Sequence, residues 1–277
     1  MRRIPSTLGV EVAAYELGGD GPPLLFAHAT GFHGHVWTPL FSSLADAFRG
    51  FTFDERGHGD STSPEGRNFD WHGFADDVLA VIDSFGLDRP FAVGHSGGGA
   101  AVLLAEIARP GTFRALYCFE PIVFPAGAAL PHEDNPLSQG ALRRREVFAS
   151  KDDAYANFSA KPPFSALHPD ALRAYVDWGF DDVADGTVRL KCHREDEAEV
   201  YRMAPVHDAF AHLGDVRCPV TLACGARSDT ITPAVLAMQA ERMPSARTEV
   251  LDGLGHFAPL EDPAAVAASI RRAFLGG

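Results

Sequence analysis

The chain is 277 residues long, with 46% of its residues hydrophobic and 22% charged. That is enough apolar side chain for a sizeable core, which excludes a disordered chain, and the length fits one large domain or a domain carrying an insertion. Lys and Arg number 24 against 37 Asp and Glu, a formal charge of −13. That sign repels phosphate backbones and anionic lipid alike, so no nucleic-acid partner is expected.

At the amino end, MRRIPSTLGVEV carries positive charge with no apolar run behind it, and no stretch approaches 18 uninterrupted apolar residues. Neither a signal peptide nor a membrane span is therefore expected. Short apolar runs follow at 23–28 (PLLFAH), 50–54 (GFTFD), 90–94 (PFAVG), 113–119 (FRALYCF), 218–225 (CPVTLACG) and 247–252 (RTEVLD). Bounded by Gly and Pro and rich in Val, Phe and Leu, they read as strands buried on both faces. Between them, residues 69–86 place Trp71, Phe74, Ala75, Val78, Ile82 and Phe85 on one stripe, an amphipathic helix. Residues 100–108 form a nearly all-apolar helix stopped by Pro110 and Gly111, 233–243 opens with Pro233 at a favoured first-turn position, and 262–274 aligns Val266, Ile270 and Phe274.

Strands alternating with helices require crossover connections, so the fold class is α/β, a mostly parallel central sheet flanked by helices. The rhythm breaks from 122 to 215, where charge clusters (RRR at 143–145, REDE at 194–197) and scattered aromatics replace strand-like runs. This predicts a core made of residues 1–121 and 216–277, with 122–215 an inserted helical subdomain. Cys118, Cys192, Cys218 and Cys224 form no CxxC pair and no zinc spacing, so they are expected as reduced thiols of a cytoplasmic protein.

The sharpest local signal is Gly94-His95-Ser96-Gly97-Gly98, a G-x-S-x-G pentapeptide directly after an apolar strand and directly before an apolar helix. A strand that turns at once into a helix strains the serine, so its neighbours two positions away must lack side chains. The helix start then sets backbone N–H groups and a positive dipole end beside Ser96. A serine hydroxyl needs a base to become a nucleophile, and the base needs a carboxylate to orient it. Asp229 falls in the loop after the run 218–225 and His256 in the loop after 247–252. Both loops belong to the carboxyl edge of a parallel sheet, where ligands gather. Taken singly, a loop Asp is a turn residue and a loop His a surface group; taken jointly, three such residues on one edge point to acyl transfer.

From about residue 5 to its end the chain resembles the α/β-hydrolase fold superfamily, in its serine-nucleophile, esterase-like branch. Besides the Ser, Asp and His positions, His28-Ala29-Thr30-Gly31-Phe32 stands where the superfamily has His-Gly and an oxyanion-hole residue. Residues 54–61 (DERGHGDS) resemble its D-x-R-G-x-G-x-S turn, and 255–263 (GHFAPLEDP) its histidine loop. The resemblance implies Ser96 as nucleophile, His256 as base, Asp229 as acid and the N–H groups of Gly97 and Thr30 as oxyanion hole. Gly31 is an alternative donor, and Glu120, at the end of the run 113–119, is an alternative acid. The resemblance also makes 122–215 a cap over the nucleophile, with Phe124, Phe148, Phe158, Phe164, Tyr175, Trp178 and Phe180 lining a pocket or filling the cap's own interior.

The expected activity is cleavage of a small to medium carboxylic ester, or a related thioester, lactone or activated C–C substrate with an apolar portion, without cofactor. Two other classes live on the same scaffold, cofactor-independent oxygenases and non-catalytic ligand-binding proteins. His28, His33 and His35 have the spacing of a metal group but lack an accompanying carboxylate or thiolate in their segment, and read as loop packing. Arg143, Arg144 and Arg145 read as a solvated helix face, with the holding of a substrate carboxylate as the alternative.

Overall fold

A computed structural model describes residues 1–125, 127 and 134–276. Among these the central sheet has eight strands: β1 (Arg2–Pro5), β2 (Glu11–Gly18), β3 (Pro23–Ala27), β4 (Arg49–Phe53), β5 (Phe91–His95), β6 (Ala115–Phe119), β10 (Val220–Gly225) and β11 (Ala246–Leu251), in the order β1-β2-β4-β3-β5-β6-β10-β11. The six apolar runs are the six parallel strands. What the strand pattern left out is the antiparallel pair β1 and β2, which extends the β4 edge. Glu11 and Glu16 are exposed in β2, so it lacks the all-apolar signature of a doubly buried strand.

Successive strand residues divide between two cores, as a period of two demands. Leu25, Ala27, Phe51 and Phe53 join Phe74 and Val78 of α2 (Trp71–Phe85) and Val102 of α3 (Gly97–Ala108) on one face. Leu24, Phe26 and Val93 join Leu40 of α1 (Thr38–Ser42) and Ile270 of α11 (Pro263–Leu275) on the other. The ends of α2 follow local chemistry. The Asp70 side chain accepts from the His72 N–H at its start, and Gly86, at φ 63°, ends it with Leu87 N–H donating to Ile82 O.

Between β6 and β10 lie α4 (Pro136–Leu142), α5 (Lys151–Ser159), α6 (Pro169–Gly179), α7 (Arg194–Met203) and α8 (Ala209–His212). They are accompanied by a small antiparallel sheet of β7 (Val147–Phe148), β9 (Val188–Leu190) and β8 (Phe180–Asp182). The segment expected to be helical thus also carries a small sheet. Strands of two or three residues are too short to show a period in the sequence and are held by Phe148, Phe180, Val188 and Leu190 packing together. After β10 come α9 (Pro233–Ala240) and, after β11, α10 (Ala258–Glu261).

The strand order sets the site. From β3 the chain crosses to β4 on one side, then returns to β5 on the other. The loop after β3 and the turn after β5 therefore flank the switch point at the carboxyl edge, where an open parallel sheet leaves a crevice.

Candidate active site

Ser96 follows the last residue of β5 and precedes the first of α3, with φ 54° and ψ −111°. This left-handed strain on a non-glycine residue is of the kind held only where surrounding structure over-determines it. The Ser96 N–H donates to Phe119 O at 2.9 Å, and its carbonyl accepts from Ala100 and Ile122 N–H groups. The two glycines are forced by contact. A Cβ on Gly94 would lie 2.5 Å from Gly98 O, and one on Gly98 would lie 2.3 Å from Ala27 O. Only without side chains can α3 start against β5 and β3.

Two backbone N–H groups without a hydrogen-bond partner among the described residues, those of Gly97 and Thr30, lie close together at this turn. Gly97 opens α3, where a helix leaves its first N–H groups unpaired; the next N–H, of Gly98, is already committed to His28 O. On the β3 loop, the Gly31 N–H donates to His58 Nε2 at 2.9 Å, which removes Gly31 as an alternative donor and leaves the Thr30 N–H beside Gly97. A Cβ on Gly97 would lie 3.5 Å from Thr30 N and 2.8 Å from Thr30 Oγ1. That buried hydroxyl has no hydrogen-bond partner among the described residues.

Buried histidines shape this loop through hydrogen bonds and ring contacts. His28 Nε2 accepts from Glu55 N–H and its Nδ1 faces Ala29 O; His58 Nδ1 faces Arg56 O. His33 Nε2 meets Tyr175 O, and His35 stacks on Trp178. Burial drives the pKa of His28 and His58 down and that of His33 to about 4, so each ring is neutral, one nitrogen donating and the other able to accept. The turn 54–61 is itself anchored by the buried Arg56–Asp77 pair, at 2.7 Å.

The carboxylate at His256 is Glu120. Its Oε2 lies 2.6 Å from His256 Nδ1 and accepts from Ser228 Oγ at 2.7 Å, while Oε1 accepts from the Gly225 N–H at 3.0 Å. The residue is fully buried, and its N–H donates to Ala223 O. Asp229, the acid expected from the sequence, is corrected by this geometry. It is exposed on the loop after β10 and makes no side-chain hydrogen bond or ion pair among the described residues. The residue of that loop which reaches Glu120 is its neighbour Ser228. Gly225 allows the approach, since a Cβ there would lie 2.3 Å from Leu254 O. On the other side, His95 Nε2 lies 2.8 Å from His256 O, and burial holds the His95 pKa far down, so the neutral ring donates to that carbonyl. Nothing in the pentapeptide marked His95 for this positioning task.

Ser96 and His256 line one cavity of about 990 Å³, together with Thr30, Phe32, Phe158, Phe164 and Phe257. No hydrogen bond joins Ser96 Oγ to His256 among the described residues, a looseness common in unliganded sites. Of the seven aromatics expected near the pocket, Phe124, Phe158 and Phe164 line it. Phe148, Tyr175 and Phe180 pack inside the segment, and Trp178 is 51% exposed against His35. The arginine run is not a uniform solvated face either. Arg144 donates to Glu197 and, at 2.5 Å, to Tyr175 Oη, and Glu197 is buried.

The sequence profile described as "Alpha/beta hydrolase family" matches residues 24–269. A 2-(acetamidomethylene)succinate hydrolase of Mesorhizobium japonicum is 26% identical over 239 residues, 86% of this chain and 83% of that protein. A non-heme chloroperoxidase, CPO-A1, of Kitasatospora aureofaciens is 33% identical over 191 residues, 65% of this chain and 68% of that one. Among solved structures, that of E-2-(acetamidomethylene)succinate hydrolase superposes with a TM-score of 0.84 at 25% identity, covering 98% of this chain and 97% of the other.

Proposed function

As the chain belongs to the alpha/beta hydrolase family, we propose that it is a serine hydrolase cleaving small to medium carboxylic esters, or related thioesters and lactones, through an acyl-enzyme. The observation that carries this reading is the bond between Glu120 Oε2 and the Nδ1 of His256, a residue that lines one cavity with Ser96 on its strained turn. Glu120 fixes the imidazole with its proton on Nδ1, so Nε2 is the free base. Ser96 Oγ attacks the carbonyl carbon as Nε2 takes its proton; the tetrahedral oxyanion is held by the Gly97 and Thr30 N–H groups. Collapse breaks the bond to the leaving alkoxide, which receives the proton from His256. Water then adds to the acyl carbon as His256 Nε2 takes its proton, and collapse releases the carboxylic acid as Ser96 Oγ leaves and regains that proton from His256. Each oxyanion donor is worth about a hundred- to a thousandfold in rate. Residues 122–215 act as the cap, and Phe158 and Phe164 offer the apolar part of the substrate a wall.

The test is the intact-mass shift on treatment with a fluorophosphonate, for wild type and for Ser96→Ala. One adduct on the wild type and none on the variant is the expected result. An unlabelled wild type, or equal labelling of both, overturns the acyl-enzyme.

A further inference from the structure

We propose that the cavity selects substrates carrying a carboxylate remote from the scissile carbonyl, and that Arg143 and Lys161 hold it. The inference rests on the acyl-transfer reading of the same site and adds the charge class of its substrate.

The starting observation is a reversal of sign. The chain carries −13, yet the charged side chains lining the cavity are Arg143, Arg144, Arg145 and Lys161 against Glu197 and Asp229. Sorting them by partner leaves the reversal in place. Arg144 is committed to Glu197 and Tyr175. Arg145 donates to Val147 O, pairs with Asp153 at 3.4 Å and lies over the Phe148 ring. Arg143 and Lys161 have no ion pair among the described residues, although carboxylates outnumber cations throughout the chain.

The charges are also placed asymmetrically. Arg143 caps the carboxyl end of α4 and Lys161 follows α5, both within 122–215. Asp229, which has no ion pair among the described residues, comes instead from the core, on the exposed loop after β10. The inserted segment thus contributes the cations of the cavity lining that lack an ion pair among the described residues, both at its solvent-exposed rim. Phe158 and Phe164, whose rings lie 4.7 Å apart, belong to the same segment as the cations and suit a short methylene chain. A neutral ester has no use for two unpaired cations there, whereas a carboxylate matches the planar fork of Arg143 and the point charge of Lys161. A substrate that fills the cavity also displaces water and strengthens these contacts. Against an overall negative field, such a local positive wall is what an anionic substrate needs for capture.

The experiment compares kcat/KM for mono-4-nitrophenyl adipate with that for 4-nitrophenyl hexanoate, two esters of equal chain length that differ in the terminal carboxylate. It uses the full chain, as wild type, as Arg143→Ala/Lys161→Ala and as Arg143→Lys, with fluorophosphonate labelling of Ser96 in parallel. The expected adipate-to-hexanoate ratio is well above one in the wild type. It falls about tenfold in the double variant, mainly through KM, because the contact is made equally in ground and transition states. Arg143→Lys keeps most of it. A wild-type ratio of one or less, or a ratio unchanged in the double variant, overturns the inference while Ser96 labelling leaves the hydrolase reading standing. Failure of labelling together with no turnover of either ester overturns both.

Discussion

Replacing Glu120 by Gln separates the two acids that the sequence offered. In the wild type, Glu120 Oε2 sits 2.6 Å from His256 Nδ1 and Oε1 takes the Gly225 N–H at 3.0 Å. A glutamine keeps the shape but has only one acceptor oxygen. If that oxygen serves Gly225, the NH2 group faces Nδ1 and selects the tautomer with its proton on Nε2, which cannot accept from Ser96. If it serves His256, Gly225 faces an NH2 group and the negative charge that stabilises the imidazolium is gone. Wrong-tautomer substitutions of this kind cost roughly 10³- to 10⁴-fold, or about 4–5.5 kcal/mol of transition-state stabilisation. The assay is kcat/KM on 4-nitrophenyl acetate, with thermal unfolding to confirm that the buried site still folds. Asp229→Asn, on an exposed loop residue without a partner, is expected to stay within about threefold of wild type. Collapse of Asp229→Asn with Glu120→Gln near wild type would refute the assignment.

Ser228→Ala removes one of the bonds that aim Glu120, at 2.7 Å; the expected loss is about tenfold in kcat, and an unchanged kcat shows that Gly225 suffices. Gly98→Ala forces a Cβ to within 2.3 Å of Ala27 O and is expected to cost about 3 kcal/mol in urea unfolding. Gly140→Ala, in α4 with open space around it, is the control and is neutral or stabilising by up to about 1 kcal/mol; equal destabilisation of both would show that packing at Gly98 is not the cause. Burial lowers the pKa of His28, His33, His58 and His95 and raises that of Glu55. The four rings stay neutral when folded and bind protons on unfolding below about pH 6.5, so they remove stability as pH falls, whereas Glu55, protonated when folded, opposes them. With four rings against one acid, stability is expected to fall between pH 7.5 and 5.5, and a flat or rising stability over that range in urea titrations contradicts it.

The parallel strands and their helices were legible because each signal is local. A run such as 90–94 or 218–225 is apolar on both faces only if both faces are covered, and Pro233 and Gly86 mark ends by backbone preference alone. The nucleophile turn was legible for the same reason, since Gly94 and Gly98 are required by contacts within one strand–turn–helix unit and its neighbour β3. What escaped is what depends on burial set by distant segments. Asp196 and Glu197 look like a solvated run, yet Ser63 and Arg67 reach the first and Arg144 the second, from 53 to 133 residues away.

The acid shows why topology narrows a choice without making it. Glu120 and Asp229 follow the neighbouring strands β6 and β10, which pair in parallel with Phe119 opposite Ala223, so both stand at the edge that His256 reaches. Which one touches the ring depends on direction. At Glu120 the backbone turns left-handed, with φ 46°, while its N–H holds to β10, and the side chain is buried beside the histidine loop. At the end of β10 the chain spends Gly225 on close approach to that loop and then Ser228 on Glu120, and by Asp229 it is exposed at the rim of the cavity. A fully buried carboxylate without partners costs several kcal/mol, and Glu120 has three: Gly225, Ser228 and His256. Glu120 therefore answers both to the fold and to the proposed chemistry, and the same hydrogen bonds that make its burial tolerable fix the direction in which it aims the imidazole.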